Sequence, residues 1–207
     1  MERVPAMPWG FLVPPVTPLM ERLHFHPLTP DRWCDLEALF GKRGACGGCW
    51  CMAWRLSRAE FVRQKGQQNH DAFESIVAAG GEPGILAYID DVPVGWCAVS
   101  PRETFLALGR SRILKPVDDA PVWSIGCLFV TRPLRRTGIS VRLLEAAVEY
   151  VASRGGRVVE GYPVEPTQGA LPDAFAWTGL QSAFRRAGFR EVARRSGNRP
   201  IMRRDVR

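Results

Sequence analysis

Apolar and polar positions along this chain follow two periods. Alternation of period two, or a short unbroken apolar run, predicts strands at 23–27 (LHFHP), 84–89 (GILAYI), 94–99 (VGWCAV), 122–130 (VWSIGCLFV), 157–162 (RVVEGY), 189–193 and 200–204. Asp90, Asp91 and Pro93 separate the second and third runs, as in a hairpin with a polar turn. Helical spacing takes over elsewhere. Trp33, Leu36, Leu39 and Phe40 share one face after the start signal Thr29-Pro30-Asp31. Ser57 followed by Glu60 is a capping box that opens another helix. Residues 71–79 read as helix, closed by Gly80 and Gly81, and 141–151 (VRLLEAAVEYV) form an amphipathic run. Four glycines between Gly41 and Gly48 make a loop. Residues 1–20 are rich in proline and lack a period, which predicts an extended arm ahead of a single domain over 21–207.

Composition narrows the classes. The formal charge is +7, and 25 of the 28 basic residues are arginine. Arginine's rigid fork of donors suits phosphate and carboxylate. The arginines run from Arg3 to Arg207 without an aromatic-interleaved basic stripe. The densest group, Arg194 to Arg207, reads as a solvated strand edge, so nucleic acid is disfavoured. No apolar run reaches the roughly 18 residues of a membrane span, and prolines break the stretch 11–19. A cytoplasmic location follows by default. Of six cysteines, Cys97 and Cys127 lie in apolar strand runs as small hydrophobes. Cys46-Gly-Gly-Cys49-Trp-Cys51 contains a C-x-x-C, but a structural zinc site wants a second pair of ligands. Only Cys34 and His70 stand ready as distant recruits. The expectation is a structural turn beside a cleft, without metal; zinc and a redox-active pair are the alternatives.

Residues 135–140, Arg-Arg-Thr-Gly-Ile-Ser, lie between the 122–130 strand and the 141–151 helix. The first N–H groups of a helix have no partner inside it, and the macrodipole places positive potential there. A basic, glycine-bearing turn at such a terminus is an anion cradle, and Gly138 lets the main chain approach a phosphate. The stretch resembles the acetyl-CoA-binding motif of the GNAT family of N-acetyltransferases, (Gln/Arg)-x-x-Gly-x-(Gly/Ala), with Ser140 at the last position. The order of elements around it is similar too, and residues 182–189 (SAFRRAGF) look like that family's closing helix and Gly-Phe entry into the next strand. The resemblance covers roughly residues 20–204. Cys49 to Met52, Gly95-Trp96 with Pro101-Arg102-Glu103, and Glu160-Gly161-Tyr162-Pro163 resemble a bacterial subgroup whose acceptor the resemblance does not fix.

The resemblance implies an α/β (α+β) fold: a mixed, mostly antiparallel sheet of six to seven strands, helices on both faces, and a central parallel pair that splays apart around the cofactor. It implies that Leu128, Phe129 and Val130 face the pantetheine arm of acetyl-CoA. Arg135, Arg136, Thr137, Gly138, Ile139 and Ser140 would cradle the diphosphate. A strand N–H near Leu128 would stabilise the thioester oxygen as charge develops. Many members place a tyrosine four residues before the Gly-Phe glycine; here that position holds Phe184, so the general acid is open and Ser182 is one candidate. Glu160, at a strand end, is either the base that deprotonates an amine or a carboxylate paired with arginine. Tyr162 is an acid or a substrate wall, and Glu103 a second carboxylate handle. Trp50, Trp54 and Arg102 either pack as core or line the acceptor pocket. The implied function is acetyl transfer from acetyl-CoA to a primary amine, of a small molecule first and of a protein or peptide second, with a homodimer left open. Two rivals are an acyl-CoA-binding regulatory module without catalysis and an arginine-driven nucleic-acid binder.

Overall fold

A computed structural model describes residues 20–166 and 175–206. The arm predicted over 1–20 falls, except for Met20, outside the described residues. All seven predicted strands form: β1 (Leu23–Pro27), β2 (Gly84–Ile89), β3 (Val92–Pro101), β4 (Trp123–Val130), β5 (Val158–Gly161), β6 (Arg190–Arg194) and β7 (Pro200–Asp205). The helices are α1 (Trp33–Phe40), α2 (Arg58–Arg63), α3 (Gln67–Ala78), α4 (Leu106–Gly109), α5 (Ile139–Ser153) and α6 (Gln181–Arg186). The strands build one sheet in the order β1-β2-β3-β4-β5-β7-β6. Every neighbouring pair is antiparallel except β4 with β5.

Binary patterning explains the layers. On β3, Cys97 and Val99 face one side while Trp96 and Ala98 face the other, as period two requires. The first side packs under α5, whose Leu143, Leu144, Ala147 and Val151 are fully buried. Burying each leucine stabilises the fold by about 1.5–3 kcal/mol. The second side is covered by α1, α3 and the segment around Trp50 to Met52. A smaller cluster of Phe105, Leu108, Leu114, Tyr162 and Ile201 fills the space beyond. Helix α3 begins at Gln67, four residues before the predicted start at 71, because polar residues on its exposed face extend it without an apolar signal. The capping box of α2 forms as read: Glu60 N–H donates to Ser57 Oγ at 3.3 Å and Ser57 N–H to Glu60 Oε2 at 3.0 Å.

The parallel pair is short. Trp123, Ser124 and Ile125 pair with Val159, Glu160 and Gly161, and there the pairing ends. On its other side β4 stays paired with β3 as far as Val130. Residues 126–130 therefore present an edge that β5 does not cover, which opens a gap in the middle of the sheet.

Candidate functional site

The gap is bounded by the β4 edge and by the turn that carries the chain into α5. Gly138 is the N-cap of that helix, with φ 100°. This left-handed conformation favours glycine. Space is not the reason, because a Cβ built there would meet only Met20 Cε, at 3.9 Å. The turn is held by Thr137 Oγ1, which donates to Leu134 O at 2.7 Å. Gly138 O accepts from Val141 N–H at 2.9 Å and starts the helix. Among the described residues, the N–H groups of Gly138, Ile139 and Ser140 have no hydrogen-bond partner. They are free donors at the positive end of a fifteen-residue helix.

A cavity of about 680 Å³ adjoins this terminus. Leu128, Phe129, Val130, Arg132, Arg135, Arg136, Ile139 and Ser140 line one side, and Ala176, Trp177, Leu180 and Ala183 the other. Cys46 reaches its rim. Thr137 and Gly138 shape the turn without lining the cavity. Donors, guanidinium groups and an elongated apolar wall fit a ligand with an anionic head and a long amide-bearing arm.

The uncovered β4 edge is not bare. Gly126 O accepts from Trp54 Nε1 at 2.9 Å. Val130 O accepts from Arg135 Nε at 3.1 Å. The sequence reading put a thioester-stabilising strand N–H near Leu128; the Leu128 N–H itself donates to Trp177 O at 2.7 Å. The bond has a plain cause: the segment before α6 folds back across the gap, and a buried N–H takes the nearest carbonyl. The ring of Trp54, outside the cavity lining, lies 5.5 Å from that of Trp177, which belongs to it. Trp177 carries no sequence signal for this, since its contact to β4 is made by its backbone.

Glu160 sits on the face opposite α5 and is 0% exposed. Its Oε1 accepts from Arg102 Nη1 at 2.9 Å and from Tyr162 OH at 2.7 Å. Its Oε2 accepts from Arg203 Nε at 2.7 Å. Arg203 also donates to Asp118 at 2.6 Å, and Tyr162 Oη, whose own proton goes to Glu160, accepts from Ser124 Oγ at 2.8 Å. The arrangement joins β4, β5, β7 and the 3-10 turn Arg102–Thr104 around one carboxylate. Burial first, then the Glu160 charge, pushes the Tyr162 hydroxyl well above its ordinary range. Arg203 holds Asp118 below the usual carboxylate range through their hydrogen bond. Both Glu160 oxygens are thus engaged by arginine and tyrosine donors of the protein, which is the arrangement of the paired-carboxylate reading.

The other candidates separate by position. Trp50 is buried among Trp33, Phe40 and His70 and belongs to the core. Its pocket reading is corrected by the tight turn below it, where a Cβ on Gly44 would come within 2.3 Å of the indole. Ser182 is exposed and lies outside the cavity lining. Phe184 is fully buried, stacked edge-on against Phe189 at 5.0 Å. It presses on Gly161, where a Cβ would lie 2.2 Å from its ring. Bare Gly161 thus ends the β4–β5 pairing over an aromatic floor. Arg102, Glu103 and Glu160 border a second cavity of about 440 Å³ with Asp118 and Asp119. Among the described residues, the one group of three donors close enough to share an ion is His70, Asp71 and Glu74, which includes no cysteine. No described helix is long and apolar enough to cross a membrane.

No curated protein matches this sequence. Solved structures do match it in fold. An acetyltransferase of the GNAT family from Listeria monocytogenes is similar at a TM-score of 0.55 and 9% identity, covering 89% of this chain and 95% of that one. One of the same family from Streptococcus pneumoniae is similar at 0.50 and 11%, covering 89% and 99%. NAA60 of Arabidopsis thaliana in complex with acetyl-CoA is similar at 0.49 and 15%, covering 89% and 99%. At these identities the likeness is one of fold. A sequence model of the acetyltransferase (GNAT) family matches residues 50–171, over half of the chain and all of the strand, turn and helix that bound the main cavity. With the splayed parallel pair and the glycine-capped basic turn in place, the chain belongs to the acetyltransferase (GNAT) family.

Proposed function

We propose that this acetyltransferase draws its acetyl group from acetyl-CoA and passes it to a primary amine of a small molecule, by direct attack in a ternary complex. One observation carries the reading: Ile139 and Ser140, whose N–H groups have no partner among the described residues, line a cavity together with Arg132, Arg135 and Arg136. Those donors would hold the diphosphate and the guanidinium groups the remaining phosphate charge. Leu128, Phe129 and Val130 would lie along the pantetheine arm. Acetyl-CoA supplies an activated thioester; the chain's task is to orient it and exclude water.

Glu160 and Tyr162 serve in this reading as positioning residues that fix the β4–β5 junction, and Ser182 drops out as an acid. Trp54 and Trp177 wall the acceptor side, which suits an amine on an apolar or aromatic frame. Peptide amines are the next class. A cytoplasmic setting belongs to the same proposal. A second reading rests on the Trp177 carbonyl, which takes the Leu128 N–H at 2.7 Å: an acyl-CoA-binding module without turnover. Calorimetry with coenzyme A and a free-thiol assay over a panel of amines test both. Micromolar binding with amine-dependent thiol release supports the enzyme. Binding without release in any amine supports the module. Absence of binding removes both.

A further inference from the structure

On β4 the main cavity reaches inward as far as Leu128; Gly126 and Cys127 do not line it. Gly126 stands at the vertex of the gap, one residue past the last β4–β5 pair, Ile125 with Gly161. It is also the extra residue of a bulge, since Ile125 pairs with Val99 and Cys127 with Ala98. Paired with neither neighbouring strand, its carbonyl takes an indole donor: Trp54 Nε1, at 2.9 Å. A Cβ on Gly126 would lie 3.2 Å from Trp54 Cδ1 and 3.1 Å from Phe105 Cε1, so two rings rest on the space that the glycine leaves.

These rings meet over Gly126 with a cavity on either side. Trp177, whose ring is 5.5 Å from that of Trp54, lines the main cavity. Phe105 lines the second one, of about 440 Å³. The partition is pinned from behind. Trp54 O accepts from Ala107 N–H at 2.9 Å. Phe105 is 1% exposed, and the Arg55 guanidinium lies over its ring at 4.7 Å. Arg55 is itself held by Ser100, whose Oγ accepts from Nη2 at 2.9 Å. Swinging the Trp54 indole aside would leave the carbonyl of buried Gly126 without its donor, which is costly.

We propose that Trp54 sets the length of the acyl group that the protein takes from coenzyme A. The inference rests on the acetyl-CoA reading above. With the phosphates at Ile139 and Ser140 and the arm along Val130, Phe129 and Leu128, the acyl end points inward along β4, toward Gly126 and the indole on it. An acetyl group ends ahead of the ring. A longer chain meets the indole and has to break its bond to Gly126 O. Trp54 is thus a specificity-determining residue, and the second cavity is the room that a longer chain enters once the indole is gone.

The test is calorimetric titration of the full chain with coenzyme A and with its acetyl, butyryl and octanoyl thioesters, which needs no acceptor. For the natural chain the dissociation constant should rise along the series, octanoyl-CoA binding at least about tenfold more weakly than acetyl-CoA. In Trp54→Ala that ratio should fall to about one or below, because the tail passes into the second cavity. A merely structural role would weaken the thioesters alike; an unchanged ratio therefore overturns the proposal. So does a natural chain that binds octanoyl-CoA as tightly as acetyl-CoA. If circular dichroism shows Trp54→Ala unfolded, Trp54→Leu carries the comparison: butyryl-CoA should then bind as tightly as acetyl-CoA, and a ratio like that of the natural chain overturns the proposal again. A natural chain that binds none of these ligands sinks the acetyl-CoA reading and the role of Trp54 with it, whereas coenzyme A binding with a flat thioester series sinks the role of Trp54 alone.

Discussion

Gly138 shows how one residue can be indispensable for a reason that its surroundings do not reveal. A side chain there would have room, yet φ 100° places any L-residue in a region that costs about 1–2 kcal/mol. The backbone of a valine would relax, and the donors of Ile139 and Ser140 would turn with it. Gly138→Val should therefore raise the dissociation constant for coenzyme A at least tenfold by calorimetry, while circular dichroism stays native. Unchanged affinity would detach the turn from the ligand. His70 makes a different single-residue argument. Burial lowers its pKa, but hydrogen bonds to Asp71 at 2.9 Å and Glu37 at 2.8 Å outweigh that, and the net shift is upward. A raised folded pKa means a stability contribution fully present below the unfolded value of about 6.5 and lost as pH climbs through the folded one. Urea midpoints measured at pH 6 and pH 8.5 should fall more for the natural chain than for His70→Gln; parallel falls would show that the imidazolium contributes nothing.

Among the elements, α2 is the purest test of local sequence. It has six residues, none fully buried, and only the partly buried Phe61 packs against the core. The reciprocal Ser57–Glu60 cap must supply the start, and Ser57→Ala should cost about 1 kcal/mol. For a chain of this size that is a fall of about 2–4 °C in Tm by calorimetry; no shift would mean that the helix frays anyway. This cap, the seven strands and the face of α5 were legible because period and capping are local properties. The Gly138 turn was legible for the same reason, since a glycine between a strand and a helix announces its own backbone. What escaped was set by distance along the chain. Trp50 and Trp54 stand four residues apart in one apolar stretch, yet the first is core and the second bonds Gly126 O. Nothing local distinguishes them. Glu160 had two readings until Arg203, 43 residues on, was brought to its Oε2 by β7. The Trp177 bond to Leu128 left no sign in the sequence, because a carbonyl bonding the β4 edge leaves no mark in residue type.

For the whole molecule, the question is whether the charge of +7 acts as a general field or through the groups at the cavity. The two ideas differ in range. Screening confines a surface charge to about 8 Å at physiological ionic strength. Strand β4 alone spans eight residues, roughly 26 Å at 3.3 Å each. Arg136 lines the cavity, whereas exposed Arg157 lies just before β5, at the opposite end of the parallel pair from the gap. A field of net charge would make both reversals equally harmful at low salt. A local cradle makes only one harmful. Arg136→Glu should weaken coenzyme A binding at least tenfold in 50 mM salt and less in 500 mM. Arg157→Glu should leave it within about twofold at 150 mM, where screening confines a surface charge to about 8 Å. Equal losses for the two variants would make the binding a matter of total charge, and the glycine-capped turn would then be an ordinary surface feature of the fold.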